Sequence, residues 1–231
     1  MNVQDKRIAI TGAFGALGSA VAMAARAAGA SVAAIDHAAD MPQALRDAGI
    51  HAIGGVDLGD AATAQRAIDA AASSLGGLDA LVNIAGTFRW QTLDGGDLDT
   101  WDLLYRVNLR TAVAASKAAL PHLRRSAAGR IINIGANAAH KAAAGMGAYA
   151  ASKAGVARLT EALAEELKDS RITVNAVLPS ILDTPPNRRD MPDADFARWV
   201  QPAQLAAVIL FLVSDQSSAI TGALLPVTGR V

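Results

Sequence analysis

The chain alternates short apolar runs, rich in β-branched residues, with longer alanine-rich segments, and this alternation is what most constrains its fold. A repeated strand–helix pattern of this kind is typical of a parallel sheet with helices on both faces. The runs are nearly continuous in apolar residues, as expected for strands covered on both sides. The prediction is therefore a three-layer, doubly wound α/β fold with a seven-stranded parallel sheet. The predicted strands are Arg7–Thr11, Ser31–Asp36, Ala52–Gly54, Ala80–Asn83, Arg130–Ile134, Thr173–Leu178 and Ala223–Val227.

Helices are predicted between these strands, since alanine is the best helix former. They are Ala16–Ala28, Ala61–Leu75, Leu98–Arg124, Ala148–Lys168 and Pro202–Ser214. A length of 231 residues without a linker-like stretch predicts a single domain over residues 1–231. The segment Ser180–Val200 lacks periodicity and is rich in Pro, Arg and Asp, so we expect a substrate lid near residues 180–200.

Composition narrows the classes of partner. The chain has 21 Lys plus Arg and 21 Asp plus Glu, and this zero net charge disfavours nucleic acid and anionic membranes as partners. Residues Met1–Lys6 are polar, and the longest apolar stretch, Leu205–Val213, is roughly half a membrane span. We therefore expect a cytoplasmic protein that acts on a small-molecule substrate.

Metal and thiol chemistry are not expected. The chain has no cysteine, which excludes disulfides, a thiolate nucleophile and zinc sites built on Cys. The four histidines are scattered without ligand spacing, so no metal site is predicted. They are His37, His51, His122 and His140.

A glycine-rich turn follows the first predicted strand. Ile8–Thr11 runs into Gly12-Ala13-Phe14-Gly15-Ala16-Leu17-Gly18 and then into a helix. Such a turn lets a pyrophosphate approach the backbone at a helix N-terminus, as in Rossmann-type dinucleotide sites. An ordinary tight turn between strand and helix is the alternative at this point.

Asp36 lies 18 residues after Gly18, at the end of the second predicted strand. A carboxylate there can accept hydrogen bonds from the adenosine ribose, and it repels a 2′-phosphate. Neither Gly15 nor His37 supplies a cation for that phosphate. The sequence therefore favours NAD(H), with NADP(H) less favoured, unless Asp36 only caps the strand.

Tyr149 and Lys153 share one face of a predicted helix because they are four residues apart. A phenol with a pKa of about 10 is a poor proton shuttle at neutral pH. An ammonium about 5 Å away, at an effective dielectric near 20, is expected to lower that pKa by some 2 units. The pair is thus a candidate for general acid catalysis.

Six short elements, in the right order and spacing, resemble those of the short-chain dehydrogenase/reductase family, and the resemblance covers essentially the whole chain. They are Thr11-Gly12 with Gly18, Asp57-Leu58, Asn83-Ile84-Ala85-Gly86, Val107-Asn108-Leu109, Tyr149 with Lys153, and Pro179 with Thr184.

The resemblance implies a nicotinamide-dependent oxidoreductase in which Tyr149 donates the proton and Lys153 binds the nicotinamide ribose. It also implies that Asn108 holds a water that links Lys153 to solvent, and that Thr184 binds the carboxamide. The implied cofactor-binding residues are Gly12, Phe14, Gly15, Ala16, Leu17, Gly18, Asp36, Asp57, Leu58, Asn83, Ala85, Gly86, Tyr149, Lys153, Pro179, Ile181 and Thr184.

Two positions depart from the family pattern. The middle glycine is displaced, because Gly15 precedes Ala16 at the usual glycine position. The serine expected 13 residues before Tyr149 is Ala136, so the hydroxyl that normally steadies a developing oxyanion is missing.

The segments around Ala136 and the lid resemble one branch of the family, the quinonoid dihydropteridine reductases. The similar stretches are Gly15–Ser19, Gly135–Ala139, Gly145-Met146, Ala176–Pro179, Leu182–Pro185, Asn187-Arg188 and Met191–Trp199. Reduction of a conjugated C=N system develops no alkoxide, so this branch would tolerate the loss of the serine.

Three functions remain open from the sequence. The favoured one is NADH-dependent reduction of an unsaturated, quinonoid acceptor. The second is conventional reduction of a carbonyl or 3-oxoacyl compound, or alcohol dehydrogenation, with Asn137 in place of the serine. The third is a non-catalytic NAD-binding sensor.

The roles of several further residues and the oligomeric state also stay open. Phe88, Arg89 and Trp90 could orient a flat ring or pack the lid, and Arg188 and Arg189 could bind an acidic substrate or solvate the lid. The resemblance implies a homodimer or homotetramer through the two long alanine-rich helices.

Overall fold

The computed structural model describes residues 2–231 and contains a seven-stranded, all-parallel sheet in the order β3-β2-β1-β4-β5-β6-β7. Met1 lies outside the described residues. The predicted fold class is confirmed, and the strand bounds differ from the predicted ones by at most one residue. The strands are β1 (Arg7–Thr11), β2 (Ser31–Ile35), β3 (His51–Ile53), β4 (Ala80–Asn83), β5 (Gly129–Ile134), β6 (Ile172–Pro179) and β7 (Leu224–Val227).

Helices cover both faces of this sheet. They are α1 (Ala16–Ala27), α2 (Gln43–Asp47), α3 (Ala61–Leu75), α4 (Leu98–Leu104), α5 (Thr111–Leu123), α6 (Gly147–Glu166), α7 (Pro185–Asp190) and α8 (Pro202–Val213). The predicted helix Leu98–Arg124 is interrupted by a π-helical turn, Tyr105–Arg110. The helices α2 and α7, of five and six residues, are too short to give a periodic sequence signal.

Small side chains let the helices pack closely on the sheet. On one face Ala25 of α1 and Ile209 of α8 belong to a core that also contains Ile8 and Ile132. On the other face Ala71 of α3 is part of a second core with residues of α5 and α6. Within residues 2–231 no helix is both long and apolar enough to cross a bilayer.

The strand order reverses between β1 and β4, and this reversal determines where a binding crevice forms. β1 and β4 are neighbours in the sheet, and the chain winds outward from them in both directions. A crevice therefore opens at the carboxyl ends of these strands. The Thr11 hydroxyl accepts hydrogen bonds from the backbone N–H of Ile84 (3.1 Å) and Ala85 (3.2 Å), which joins the two strand ends beneath the crevice.

The segment Ser180–Val200 is more ordered at its base than its sequence suggests. Leu182 forms a parallel bridge with Val200. The Asp183 carboxylate accepts hydrogen bonds from Arg188 (2.5 and 2.7 Å) and from Gln201 (2.7 Å). These hydrogen bonds, led by that from Arg188, lower the pKa of Asp183 to about 2.

Arg188 therefore braces the segment Ser180–Val200. Its guanidinium carbon also lies 4.7 Å from the centroid of the Phe196 ring, a cation–π contact. The Arg188 charge is thus engaged within this segment, and both alternatives for Arg188, binding of an acidic substrate and solvation of the lid, stay predictions.

At the amino ends of the central strands, on the side of the sheet away from the crevice, hydrogen bonds to Asp79 join β1 to the start of β4. Its carboxylate accepts hydrogen bonds from the Arg7 backbone and guanidinium (2.8 to 3.0 Å) and from the Ser126 hydroxyl (2.6 Å). Burial alone would raise the pKa of Asp79, but the bonds from Arg7 and Ser126 outweigh it and lower the pKa to about 2.

This network predicts acid-sensitive stability. Because the folded pKa is below the ordinary 3.8, the ionised Asp79 stabilises the fold above that pH, and the contribution is lost as pH falls from about 4 to 2. We expect Asp79→Asn to lower the free energy of unfolding by about 2 kcal/mol at pH 7 and by much less at pH 2.5. Urea titrations at both pH values measure this, with the exposed Glu166→Gln as control. An equal loss at both pH values contradicts the assignment.

Candidate active site

A cavity of about 1280 Å³ lies in the crevice at the carboxyl ends of the central strands. A cavity of this size, lined mostly by apolar groups with a few polar ones, is typical of a cofactor and substrate site. Most of the predicted site residues line it. These are Gly12, Gly15, Ala16, Leu17, Gly18, Asp36, Asp57, Leu58, Ala85, Gly86, Tyr149, Lys153, Pro179, Ile181 and Thr184.

The glycine-rich turn is closely packed. Gly12 has a φ of +64°, and a Cβ there would lie 2.7 Å from the Ala85 nitrogen. A Cβ on Gly18 would lie 2.1 Å from the Gly12 oxygen. Only glycine fits these two positions, because the backbone that follows β4 and the turn itself occupy the space.

The start of α1 fits the phosphates of a dinucleotide. Gly15 precedes this 12-residue helix without a side-chain cap. The first N–H groups of a helix have no partner within it, and Ala16 and Leu17 carry two of them at the cavity wall. The cradle beside Gly15 is open, since a Cβ there would meet only the Gly12 oxygen, at 3.5 Å. Backbone donors in an open cradle suit a pyrophosphate.

Asp36 has a structural contact as well as a place in the cavity. Its carboxylate accepts hydrogen bonds from the backbone N–H of Phe14 (2.8 Å) and Ala38 (2.9 Å). It thereby holds the glycine-rich turn against the end of β2. The carboxylate lines the cavity beside His37, where it retains lone pairs for a ligand hydroxyl.

Arg106 lies near the same end of the cavity, and sequence reasoning missed it. It forms an ion pair of 2.5 Å with Asp57, whose other oxygen accepts a hydrogen bond from the Gly59 N–H. Both partners of the pair line the cavity. No motif pointed to Arg106, because it lies 49 residues from Asp57 in the chain.

Phe14, Asn83 and Asn108 are predicted site residues that do not line this cavity. Phe14 packs on the core beneath the turn. The buried Asn83 amide donates to Ser116 (3.0 Å) and Asn133 (2.9 Å) and so joins β4 to α5 and β5. The structure therefore gives Asn83 a role in holding the sheet and places its amide away from the cavity.

Tyr149 and Lys153 line the cavity together from the first turns of α6. The prediction that Lys153 lowers the pKa of Tyr149 is wrong for this structure: burial raises that pKa to about 12. Burial also lowers the pKa of Lys153 to about 8, and its ammonium donates to the Ile134 carbonyl at 2.7 Å. The pair thus holds a neutral phenol beside a desolvated lysine at neutral pH.

Asn108 positions the helix that bears Tyr149. It lies in the π-helical turn, a feature often found at functional sites. Its side-chain oxygen accepts a hydrogen bond from the Thr87 N–H (2.7 Å), and its amide donates to Ser152 (2.9 Å). The Ser152 hydroxyl in turn donates to the Tyr149 carbonyl (2.7 Å). The water relay through Asn108 stays a prediction.

The wall beside Tyr149 carries no serine where the family pattern has one. Ala136 lines the cavity there and is buried, and the adjacent Asn137 is an exposed residue of the same wall. Two other hydroxyls in the cavity are engaged, since Ser180 donates to the Thr228 carbonyl and Thr111 to the Val107 carbonyl.

Aromatic side chains close the same end of the cavity. The Phe88 ring meets the Tyr149 ring edge to face, with centroids 4.9 Å apart at 85°. Trp90 and Met146 lie in the same wall. Arg89 is absent from it, and its guanidinium bonds to the Phe88 carbonyl at 2.8 Å. The sequence singled out the Phe88 to Trp90 loop but did not separate these roles.

Comparison with known proteins gives one consistent result. The family model described as short chain dehydrogenase matches residues 6–195. D-threitol dehydrogenase of Mycolicibacterium smegmatis is 33% identical over 97% of this chain and 92% of its own length. The 3-oxoacyl-acyl-carrier-protein reductase of Pseudomonas aeruginosa is 33% identical over 99% of this chain and 98% of its own.

Solved structures agree with the fold. A short-chain dehydrogenase from Burkholderia cenocepacia, solved in complex with NADP, has a TM-score of 0.86 and is 32% identical. The similarity covers 99% of this chain and 98% of that one. Relatives and fold neighbours are thus oxidoreductases by name.

The burial of Lys153 predicts that this residue lowers the stability of the fold at neutral pH. Because the folded pKa of Lys153 is about 8 and its ordinary value is 10.5, its charge destabilises the fold below pH 8, and wild-type stability rises between those values. We expect Lys153→Met to raise the free energy of unfolding at pH 7 by about 1–3 kcal/mol, and this gain to shrink at pH 9.5. Denaturant titrations at both pH values test this against the exposed Lys117→Met. A gain that does not change with pH contradicts it.

Proposed function

The chain belongs to the short-chain dehydrogenase/reductase family and is an oxidoreductase, and on this premise we propose that it uses NADH to reduce a planar, conjugated acceptor, with Tyr149 as the proton donor. The observation that carries the choice of acceptor is the methyl group of Ala136 in the cavity wall. The non-catalytic sensor is not retained, because the relatives are enzymes by name.

A nicotinamide bound in the cavity would supply the hydride. The N-terminus of α1 would hold the phosphates, and Asp36 would accept hydrogen bonds from the adenosine ribose. Lys153, Ile181 and Thr184 line the far end and would hold the nicotinamide half. The negative charge of Asp36 supports NADH over NADPH, although the Burkholderia relative was solved with NADP.

Tyr149 carries the proton that the reductive direction requires, although a pKa of about 12 makes it a weaker acid than an ordinary phenol. Burial keeps its phenol protonated, with a pKa of about 12, so the donor form is fully populated at neutral pH. The bonds from Asn108 to Ser152 and on to the Tyr149 carbonyl hold the start of α6 in place. The chain thereby fixes the backbone that carries the donor before the acceptor arrives, and such positioning contributes to catalysis.

Ala136 supports a conjugated acceptor over a simple ketone. A ketone develops an alkoxide, and one oxyanion donor is worth roughly a hundredfold or more in rate. A quinonoid C=N system, like that of a dihydropterin, spreads the incoming charge through its ring and needs only a nearby acid. The Phe88 and Trp90 rings in the same cavity are consistent with a flat acceptor.

A second candidate is conventional carbonyl reduction. Asn137 lines the cavity next to Ala136, and its exposed amide is a donor that could replace the missing hydroxyl. The Pseudomonas relative is named as a 3-oxoacyl reductase, which fits this alternative.

We also propose a homodimer or homotetramer. Leu98, Leu103, Tyr105 and Val113 are exposed along α4, the π-helical turn and α5. Exposed apolar groups concentrated on one helical stretch are typical of a protein interface.

Replacement of Tyr149 tests the proton donor. We expect Tyr149→Phe to lower NADH turnover on a quinonoid dihydropterin by about a hundredfold or more, since the ring remains but the acid is lost. Steady-state rates measure this, with Tyr105→Phe as the matched control on an exposed residue. Undiminished turnover in Tyr149→Phe would refute the assignment.

The same assay separates the two candidate acceptors. If the acceptor is conjugated, Ala136→Ser should raise ketone reduction by about tenfold or more and leave dihydropterin reduction unchanged. If carbonyl reduction is native, the wild type should already reduce ketones briskly, and Asn137→Ala should abolish that activity. Brisk ketone turnover with an inert dihydropterin decides for the second candidate.

Cofactor preference is tested at Asp36. We expect the wild type to favour NADH over NADPH by about a hundredfold in kcat/KM, because Asp36 repels a 2′-phosphate. Asp36→Asn keeps an acceptor for the Phe14 N–H but removes the charge, so the preference should narrow to about tenfold or less. Equal use of both cofactors by the wild type would overturn the NADH proposal.

A further inference from the structure

Most cations that line the cavity are already engaged. Arg106 is paired with Asp57, and Lys153 donates to the Ile134 carbonyl. Lys141 lines the cavity, is exposed, and forms no ion pair with any of residues 2–231. It is therefore the lysine at this site whose charge is left for a ligand.

The neighbouring Trp90 is fixed in place. Its indole N–H donates to the Ala144 carbonyl (3.0 Å), and the next residue, Gln91, donates its N–H to the Gly145 carbonyl (2.9 Å). Gly145 has a φ of +73°, and a Cβ there would lie 2.1 Å from the indole ring. The ring is thus packed directly on the backbone, while 62% of Trp90 stays exposed.

Both residues line the same cavity. Lys141 is three residues before Ala144, whose carbonyl accepts the hydrogen bond from Trp90, and the lysine is exposed. A fixed aromatic surface beside a flexible cation suits a flat ring with an acidic substituent. Asp190 lines the cavity from α7 and would repel an anion, so the acidic group is directed toward the Lys141 side.

We propose that the acceptor is a ring compound bearing a carboxylate or a similar anionic group, which pairs with Lys141 while the ring lies against Trp90. This substrate class rests on the proposed function of the cavity. It makes Lys141 and Trp90 specificity-determining residues outside the Tyr149 and Lys153 pair.

The test is a binding measurement that needs no turnover. NAD⁺ is titrated first by calorimetry, so failure of the cofactor site is registered separately. Benzoate and its neutral isostere benzamide are then titrated into the protein saturated with NAD⁺. We expect the wild type to bind benzoate about tenfold more tightly than benzamide, through a charge-assisted hydrogen bond from Lys141.

Variants test what each of the two residues contributes to binding of the probes. Lys141→Met should bind both probes equally with the benzamide affinity unchanged, Lys141→Arg should keep the preference, and Lys117→Met serves as the control. Trp90→Leu should weaken both probes by about the same factor.

Three results would overturn the proposal. The first is no detectable benzoate binding, or no preference for benzoate, in the wild type. The second is a preference that survives Lys141→Met. The third is unchanged affinity for both probes in Trp90→Leu.

Discussion

The site depends on the contact between the carboxyl ends of β1 and β4. Thr11 accepts hydrogen bonds from the two N–H groups that follow β4, and Gly12 leaves no room for a Cβ against Ala85. This contact brings the glycine-rich turn within reach of the loop that carries Gly86 and Phe88. The two halves of the cavity are therefore aligned by the Thr11 hydroxyl and by close backbone packing at Gly12.

At the end of the cavity lined by Tyr149, the Lys153 ammonium lies where burial disfavours its charge. Lys153 is desolvated to the point that its pKa falls to about 8, and the phenol beside it is held neutral. Asn108 and Ser152 complete the arrangement with side-chain bonds that cross from the π-helical turn to α6. The stability lost at Lys153 is offset in the cores on either side of the sheet, a division expected of an enzyme site.

The fold, and the site residues that belong to short local sequence patterns, could be predicted from the sequence. The seven strands, the glycine-rich turn and the Tyr149 and Lys153 pair follow from short local patterns. Contacts between residues that are distant in the sequence, such as the ion pair of Arg106 with Asp57, could not be predicted, because no local sequence pattern relates the two positions. The predicted pKa of Tyr149 is too low for a related reason, since spacing on a helix gives the distance to a charge but not the loss of water around the phenol.

The packing of Trp90 on Gly145 has a consequence for divergence. A methyl group at position 145 would overlap the indole ring where it now lies, so a change at the glycine affects the position of the indole. A side chain at position 145 would require the Trp90 ring to move or to be replaced by a smaller residue, and the pocket wall would then be remodelled. Covariation of positions 90 and 145 among homologues would therefore mark which of them keep this packed aromatic wall.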